Sequence, residues 1–340
     1  MRVPKWRLLI AFIATVFACA SAQAQLNGKE TGIRTLSKAW GFFQGQLLRL
    51  DRIERNHPDL QGAVLIARNE FKGSFPDLEA NAERSFRSWG AKEEEITNMR
   101  KTVMDTILPM IEQEPIDRAS ALDLVEAVKQ RAKGIDIPED IVQYLLATAF
   151  MDRPELELTR GWRAEYNSRN HPKAKGVTVL LKPPRSFKQE EGDRPNIVSK
   201  WTSEAGNGLE MLMLIVLNSD EKALTRKEID DDIRLGDRSE IKRSFKGTGQ
   251  ILSLRPFSQE RAAGYIVDIQ SESDRAGLEI TLRQRQFVLF IPGRAVSFSC
   301  QVAARRDSAA SLESKMSRFG ELCRGVANSL VLPQQYIGGK

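Results

Sequence analysis

Apolar side chains recur at helical spacing through the first half of the chain. One stripe repeats every three or four residues, as one face of a helix requires, and consists of Leu36, Trp40, Phe43, Leu47 and Leu50. The same period predicts five more helices, which begin near Pro58, Pro76, Glu93, Ser120 and Pro138. We expect Ser120 to be an N-cap and Pro109 to end or kink the helix before it. Because no strand pattern lies between these segments, they predict an all-α domain over residues 25–153.

The second half of the chain changes to strand patterns. Residues 209–218 are apolar at nearly every position, which is typical of a strand covered on both faces. Alternating positions at 278–283 and 296–302, joined by Pro292-Gly293, predict a long antiparallel hairpin. Shorter β-rich runs lie at 177–182, 196–201 and 265–270, and a last helix has an apolar stripe from Leu312 to Leu330. The predicted fold class is α+β, with a helical domain, then an α/β domain over residues 154–334 with a mainly antiparallel sheet, and a tail over 335–340.

Two cysteines of the second half point toward the same core. Cys323 lies on the apolar stripe of the last helix, and Cys300 lies on the apolar face of its strand by the separate period of two. In an oxidising compartment they form the natural disulfide pair, which would contribute about 3 kcal/mol to stability. The alternative is a pair of buried thiols whose Cα atoms lie beyond the roughly 7 Å that a disulfide spans.

The N-terminus has the three parts of a secretory signal peptide. Arg2, Lys5 and Arg7 precede an apolar run over residues 8–18, and Ala22-Gln23-Ala24 supplies the small side chains for cleavage between Ala24 and Gln25. The run is shorter than the ~20 apolar residues of a membrane-spanning helix. We therefore predict a signal peptide over residues 1–24 and a periplasmic or secreted bacterial protein. Two alternatives stay open: an uncleaved anchor, and a lipoprotein attached through Cys19, the last residue of a lipobox-like segment.

Composition is that of a folded chain, and its charge does not favour nucleic acid. The 340 residues are 41% hydrophobic and 28% charged, which excludes a disordered or fibrous protein. The formal charge of +6 includes three cations from residues 1–24, so the mature chain carries +3. Residues 25–150 hold 17 basic and 20 acidic side chains, whereas residues 151–340 hold 31 and 25. We do not expect an exported chain of this charge to bind nucleic acid.

A long part of the second half resembles a known fold. The strand Val177–Lys182 is followed by Pro183-Pro184-Arg185-Ser186-Phe187, by Glu190-Glu191-Gly192 and by Pro195-Asn196-Ile197-Val198. A strand at Tyr265-Ile266-Val267, the hairpin to Cys300, and a helix that ends Ala327-Asn328-Ser329-Leu330 come later. Over residues 160–332 this order resembles the PsbP-like fold of photosystem accessory proteins, a Ran-binding nuclear transport factor and DcrB-type envelope lipoproteins. The resemblance implies an α/β/α sandwich whose members mostly bind partners and share no catalytic residues. The helical half shows no such resemblance.

Few residues form a pattern that predicts chemistry. The two histidines, His57 and His171, have no cysteine or carboxylate at ligand spacing beside them, so we predict no metal site and no cofactor. Asp268, Glu272 and Asp274 are the carboxylates from which a hydrolytic site could be built, since paired carboxyl groups serve as general acid and base.

Four arginines form a candidate partner-binding patch. Arg283 and Arg285 project from one face of their predicted strand, and Arg305 and Arg306 follow the next strand. Such a patch would bind an acidic partner or contact lipid head groups at a membrane surface. The alternative is the ordinary solvated face of a half-buried strand.

These patterns favour a non-enzymatic binding or accessory module of the bacterial envelope, with an envelope protein as its partner. A secreted hydrolase with a carboxylate-based site is the alternative. The sequence leaves the oligomeric state open.

Overall fold

The structure, a computed structural model, describes residues 21–114, 116–219, 223–235, 249–275, 278–305 and 310–336. Residues 27–152 form one compact unit, and the described residues from Arg153 onward belong to a second.

The first unit is helical and has its core along the predicted stripes. The helices of this half are α1 (Ser21–Asn56), α2 (Gln61–Ser74), α3 (Leu78–Ser88), α4 (Glu93–Gln113), α5 (Arg118–Ala132) and α6 (Glu139–Ala149). The stripe from Leu36 to Leu50 is buried, and Phe43 stacks on Phe71 with ring centroids 5.2 Å apart. Burial of these side chains, rather than helix propensity, supplies most of the stability of such short helices.

One local prediction for these helices is wrong, and a second is narrowed. Helix α5 begins before Ser120, because Asp117 is its N-cap and accepts a 2.8 Å hydrogen bond from the Ser120 amide. An aspartate oxygen satisfies the free amide groups of the first turn as well as a serine does, so position and not residue type decided the cap. Pro109, predicted to end or kink its helix, lies inside α4, which continues to Gln113, so the helix does not end there.

The second unit contains a seven-stranded antiparallel sheet. Its strands are β3 (Lys188–Glu191), β4 (Ile197–Thr202), β5 (Met211–Asn218), β6 (Gln250–Gln259), β7 (Ala262–Arg275), β8 (Leu278–Ile291) and β9 (Arg294–Arg305), in the spatial order 3-4-5-9-8-7-6. Strands β8 and β9 form the predicted hairpin around Pro292-Gly293, where Gly293 has φ 71°. A small separate pair joins β1 (Tyr166–Asn167) to β2 (Leu180–Leu181).

Helices cover both faces of the large sheet. Helix α9 (Ala310–Asn328) packs on β8 and β9, and the short α7 (Glu155–Thr159) packs against α9. Helix α8 (Arg226–Leu235) packs on the opposite face, against β6 and β7. We call these surfaces the α9 face and the α8 face. The predicted α+β class, with a helical region before a mainly antiparallel sheet between helices, is confirmed.

One predicted strand differs from the structure, and two observed strands were not predicted. The predicted strand over 177–182 contains only the two residues of β2, outside the large sheet, although Val177, Val179 and Leu181 are buried. Strands β3 and β6 have no counterpart among the predictions. Both are edge strands of the sheet, where one side needs no apolar neighbour and the period of two is weak.

Candidate functional site

The two cysteines are joined in a disulfide. Cys300 of β9 and Cys323 of α9 are both fully buried, and their Cα atoms lie 6.0 Å apart. That separation is within the range of ordinary disulfides. The bond attaches α9 to a central strand of the sheet, so it stabilises the α9 face rather than forming part of a reactive site.

The arginines of the predicted patch have acidic partners within the chain. Arg285 lies 2.7 Å from Asp268, and Arg283 lies 2.6 Å from Glu313 of α9. Both arginines lie on the α9 face and are about four-fifths buried. The side chain of Arg305 and all of Arg306 lie outside the described residues. The two described guanidinium groups therefore already have the hydrogen bonds that an external partner would have to replace.

The predicted carboxylate trio does not form a described site. Asp268 accepts hydrogen bonds from Arg285 and, at 2.7 Å, from the Ser253 hydroxyl. These bonds hold the pKa of Asp268 below its usual range, against the effect of burial. Glu272 is exposed, and the side chain of Asp274 lies outside the described residues. Asp268 is thus a structural ion-pair residue on this face.

A second pair of carboxyl groups meets at the turn between β4 and β5. In this turn Glu204 and Ala205, with φ 51° and 52°, adopt the left-handed conformation that costs non-glycine residues energy. Burial, and secondarily the neighbouring Glu210, raise the pKa of Glu204 to about 7. The Ser203 hydroxyl donates a 2.7 Å hydrogen bond to Glu210. A carboxyl group that keeps its proton near neutral pH beside a second carboxylate is an arrangement that acid catalysis uses.

The charges at this turn are also balanced from α9. Lys315 and Arg318 partly oppose the rise in the pKa of Glu204. Arg318 also lies 4.0 Å from Glu210. The cluster therefore matches its own charges within the fold, as structural ion-pair clusters do.

Glu157 of α7 is a buried carboxyl group. It is 1% exposed and accepts hydrogen bonds from the amide of Ser186 at 2.7 Å and from its hydroxyl at 2.6 Å. Burial raises the pKa of Glu157 to about 7, although those hydrogen bonds oppose the shift. Glu157 therefore holds the Pro184–Phe187 segment against α7, and its charge state changes near neutral pH.

The helical unit contains an apolar groove between α1 and α4. Its volume is about 700 Å³, within the range of small-ligand sites. The apolar lining consists of Phe42 from α1, Val103, Ile107 and Met110 from α4, and Ile141 from α6. Met110 is 63% exposed, and such exposure in a continuous apolar surface marks interaction sites.

Two glycines bring the walls of this groove together. A Cβ atom at Gly41 would lie 3.2 Å from Cγ1 of Val103, which is tighter than ordinary packing. At Gly45, one turn later, it would lie 3.7 Å from Cγ2 of Ile107. Larger side chains would separate α1 from α4 or fill the space between them. The glycine spacing therefore keeps the groove both narrow and open.

Basic side chains line the groove at both ends. Arg34 and Lys38, one turn apart, lie at one end, and Arg49 lies at the other. Arg49 is bonded to Glu114 through Nη2 and Oε1 at 2.5 Å. None of the described lining residues is acidic.

Arg131 is a further cation near the Arg49 end of the groove. Arg131 donates a 2.6 Å hydrogen bond to Gln46, a lining residue, while its own Nε atom is buried and has no hydrogen-bond partner among the described residues. Burial, and then repulsion from Arg49, lower the pKa of Arg131, although Asp136 opposes both. Arg131 therefore places a second guanidinium group near that of Arg49 at this end.

This groove was not predicted from the sequence. Its signal was the pair Gly41 and Gly45, four residues apart on the same helix as the apolar stripe. Phe42 lines the groove, whereas its neighbour Phe43 and the nearby Trp40 are buried in the core. The sequence spacing gives the direction of each side chain around α1. Only the position of α4 shows which of these side chains face the groove.

The described residues offer neither a metal-binding group nor a membrane-spanning helix. No group of three or more His, Cys, Asp or Glu residues within the described ranges could hold a metal ion. In the same part of the chain, no helix is long and apolar enough to cross a membrane. Ala24 and Gln25, the predicted cleavage residues, lie within α1, and the rest of the predicted signal segment, up to residue 20, lies outside the described residues.

Comparison with known proteins gives only a distant likeness. The chain matches no known protein family, and no curated protein matches it. Among solved structures it is similar to LpqN, a protein described as involved in cell envelope biogenesis of Mycobacterium tuberculosis. The identity is 12% and the TM-score 0.29, over 51% of this chain and 93% of LpqN. A likeness at this level does not transfer function from one protein to another, and the PsbP-like fold stays a prediction.

Proposed function

We propose that this chain is an exported binding protein of the bacterial periplasm and that the groove between α1 and α4 is its ligand site. The observation that carries the proposal is the groove itself, an open apolar surface with Met110 exposed in its wall. Unfilled apolar surface of this kind favours association with a ligand, because binding removes it from water. The chain would act as a binding or accessory module.

The other candidate surfaces support binding less well. Arg283 and Arg285 are bonded to Glu313 and Asp268, so a partner would have to break existing ion pairs. At the turn between β4 and β5, the charge of Glu210 is matched by Arg318. A ligand that covers the apolar walls of the groove, in contrast, breaks none of the described ion pairs.

Export is supported by two independent features. Residues 1–24 have the charge and apolar pattern of a secretory signal peptide. The buried Cys300–Cys323 disulfide suits an oxidising compartment such as the periplasm.

We expect the protein, expressed from its full sequence in a bacterium, to appear in the periplasmic fraction without residues 1–24. Small side chains at Ala22 and Ala24 fit the signal peptidase site, so the chain should begin at unmodified Gln25. Mass spectrometry of the intact protein checks this. A chain that begins at a lipid-modified Cys19, or one that keeps its first residues, would contradict it.

We expect a photoreactive side chain in the groove to capture the natural ligand in living cells. Met110, replaced by p-benzoylphenylalanine, should give a discrete adduct on irradiation, because its side chain lies in the groove wall. Leu65, 51% exposed on α2 and outside the lining, is the matched control position and should give none. Mass spectrometry of the isolated protein identifies the adduct.

The groove should be necessary for this adduct. Gly45→Leu, which places a side chain in the groove, should abolish the adduct at position 110. Gly62→Leu on α2 should leave the adduct unchanged, because a Cβ atom at Gly62 has nothing within 4 Å. Equal labelling at positions 65 and 110, or an adduct that survives Gly45→Leu, would refute the groove as the ligand site.

A further inference from the structure

We infer that the groove binds a single-chain amphiphile with an anionic head group, such as a long-chain fatty acid. The acyl chain lies along the apolar walls, and the head group contacts Arg34 and Lys38 at the rim. This inference rests on the proposed function, since it names the ligand class of the same groove.

The shape of the groove selects an extended chain. The lining runs along α1 from Arg34 to Arg49, which is roughly 22 Å of helix. An extended chain can lie along this length in contact with side chains of both α1 and α4. One lipid tail spans about half of the ~30 Å hydrocarbon core of a bilayer, which fits the length.

The chemistry of the lining matches a hydrocarbon tail. Phe42, Val103, Ile107 and Met110 present carbon atoms, and Met110 offers a flexible, polarisable side chain that adapts to irregular ligands. The close approach at Gly41 closes the groove on the side of Val103. A tail in this position would cover the exposed part of Met110.

The charge of the groove selects an anionic head group. Arg34 and Lys38 are exposed, and the ion pairs within the described side chains do not include either of them. At the other end Arg49 is already paired with Glu114. Two cations one turn apart can both contact one carboxylate, and the guanidinium group of Arg131 adds positive potential along the groove.

Titration calorimetry of the mature protein with three amphiphiles of equal tail length tests the inference. The probes are dodecanoate, dodecyl maltoside and dodecyltrimethylammonium, each below its micelle concentration. We expect one saturable site with dodecanoate bound about tenfold more tightly than the cationic probe. The preference should shrink as salt is added, because exposed charges are screened.

Two sets of variants separate tail from head-group recognition. Gly45→Leu should weaken all three probes at least about tenfold, whereas Gly62→Leu should leave them unchanged. Arg34→Gln with Lys38→Gln should remove the anionic preference but keep binding of the maltoside. The same charge change at Lys72 and Lys133, exposed and outside the lining, is the control.

A variant at an exposed position tests the groove even where Gly45→Leu fails to fold. Met110→Glu lies on the groove wall and should weaken dodecanoate while it strengthens the cationic probe, whereas Leu65→Glu should do neither. Circular dichroism of each variant confirms its helical content.

Three results would overturn the inference: equal affinity for the three probes, binding that survives Gly45→Leu, or saturable binding of an acidic helical peptide with no binding of dodecanoate. The last would leave the proposed function intact, because Met110 would then capture a protein in cells. Loss of both the adduct at Met110 and amphiphile binding would instead refute the proposed function.

Discussion

Replacing Cys300 and Cys323 together by alanine is expected to lower the free energy of unfolding by about 3 kcal/mol. The two residues are 23 positions apart, and their bond closes that loop in the unfolded chain, which reduces the entropy gained on unfolding. Both side chains are fully buried between β9 and α9, so alanine also removes the packing contacts of two sulfur atoms, which adds to the loss. Urea unfolding of the oxidised mature protein and of the double variant measures the difference.

Reduction provides the control for this prediction. A reducing agent should destabilise the wild-type protein by a similar amount and leave the double variant unchanged, because the variant has no bond to lose. If oxidised and reduced wild-type protein unfold at the same urea concentration, the bond does not stabilise this unit.

The wild-type protein is expected to lose about 3 kcal/mol of its free energy of unfolding between about pH 5 and about pH 8. The variant Glu157→Gln is expected not to show this loss. Burial raises the pKa of Glu157 from 4.5 to about 7 in the folded state. Between these values the folded protein holds a proton that the unfolded chain releases. The stabilising contribution is therefore complete below the unfolded pKa and is lost as the pH rises through about 7.

Glutamine is a close substitute for the protonated side chain. Its oxygen can accept from the Ser186 amide and its nitrogen can donate to the Ser186 hydroxyl, so both contacts of Glu157 are kept without a charge. The free energy of unfolding, measured in urea across this pH range for both proteins, tests the prediction. Glu155→Gln is the matched control on the same helix. It removes a surface pair with Arg153 and should change stability by less than about 1 kcal/mol throughout. Parallel pH profiles for wild type and Glu157→Gln would show that Glu157 does not titrate in this range.

The two outcomes concern different parts of the second unit. The disulfide holds α9 on the sheet, whereas Glu157 holds the segment around Ser186 against α7. The groove belongs to the other unit, so we expect both variants to keep amphiphile binding.

The α+β class followed from the sequence because periods of 3.6 and 2 are imposed by backbone geometry alone. The stripe from Leu36 to Leu50 must lie on one face of a helix wherever the rest of the chain lies. Likewise, the apolar run of β5 must be covered on both faces. The same periodicities predicted that the side chains of Cys300 and Cys323 point into the interior, where they form a disulfide.

Edge elements and caps were harder to predict from the sequence. Strand β3 is almost wholly polar and β6 contains Pro256, yet both pair at the edges of the sheet. An edge strand has one free side, so backbone hydrogen bonds to the neighbouring strand can hold it without an alternating apolar pattern.

What the sequence by itself determined is therefore the set of long elements and the direction in which their apolar side chains point, since these depend on local periodicity. Only the tertiary structure decided which polar groups are buried or paired: Glu157 beside Ser186, Arg285 beside Asp268, and Glu204 near Glu210. The groove also belongs to this second class. Gly41 and Gly45 fix how near α4 can come to α1, but the gap beside them exists only because two helices distant in sequence pack at that distance.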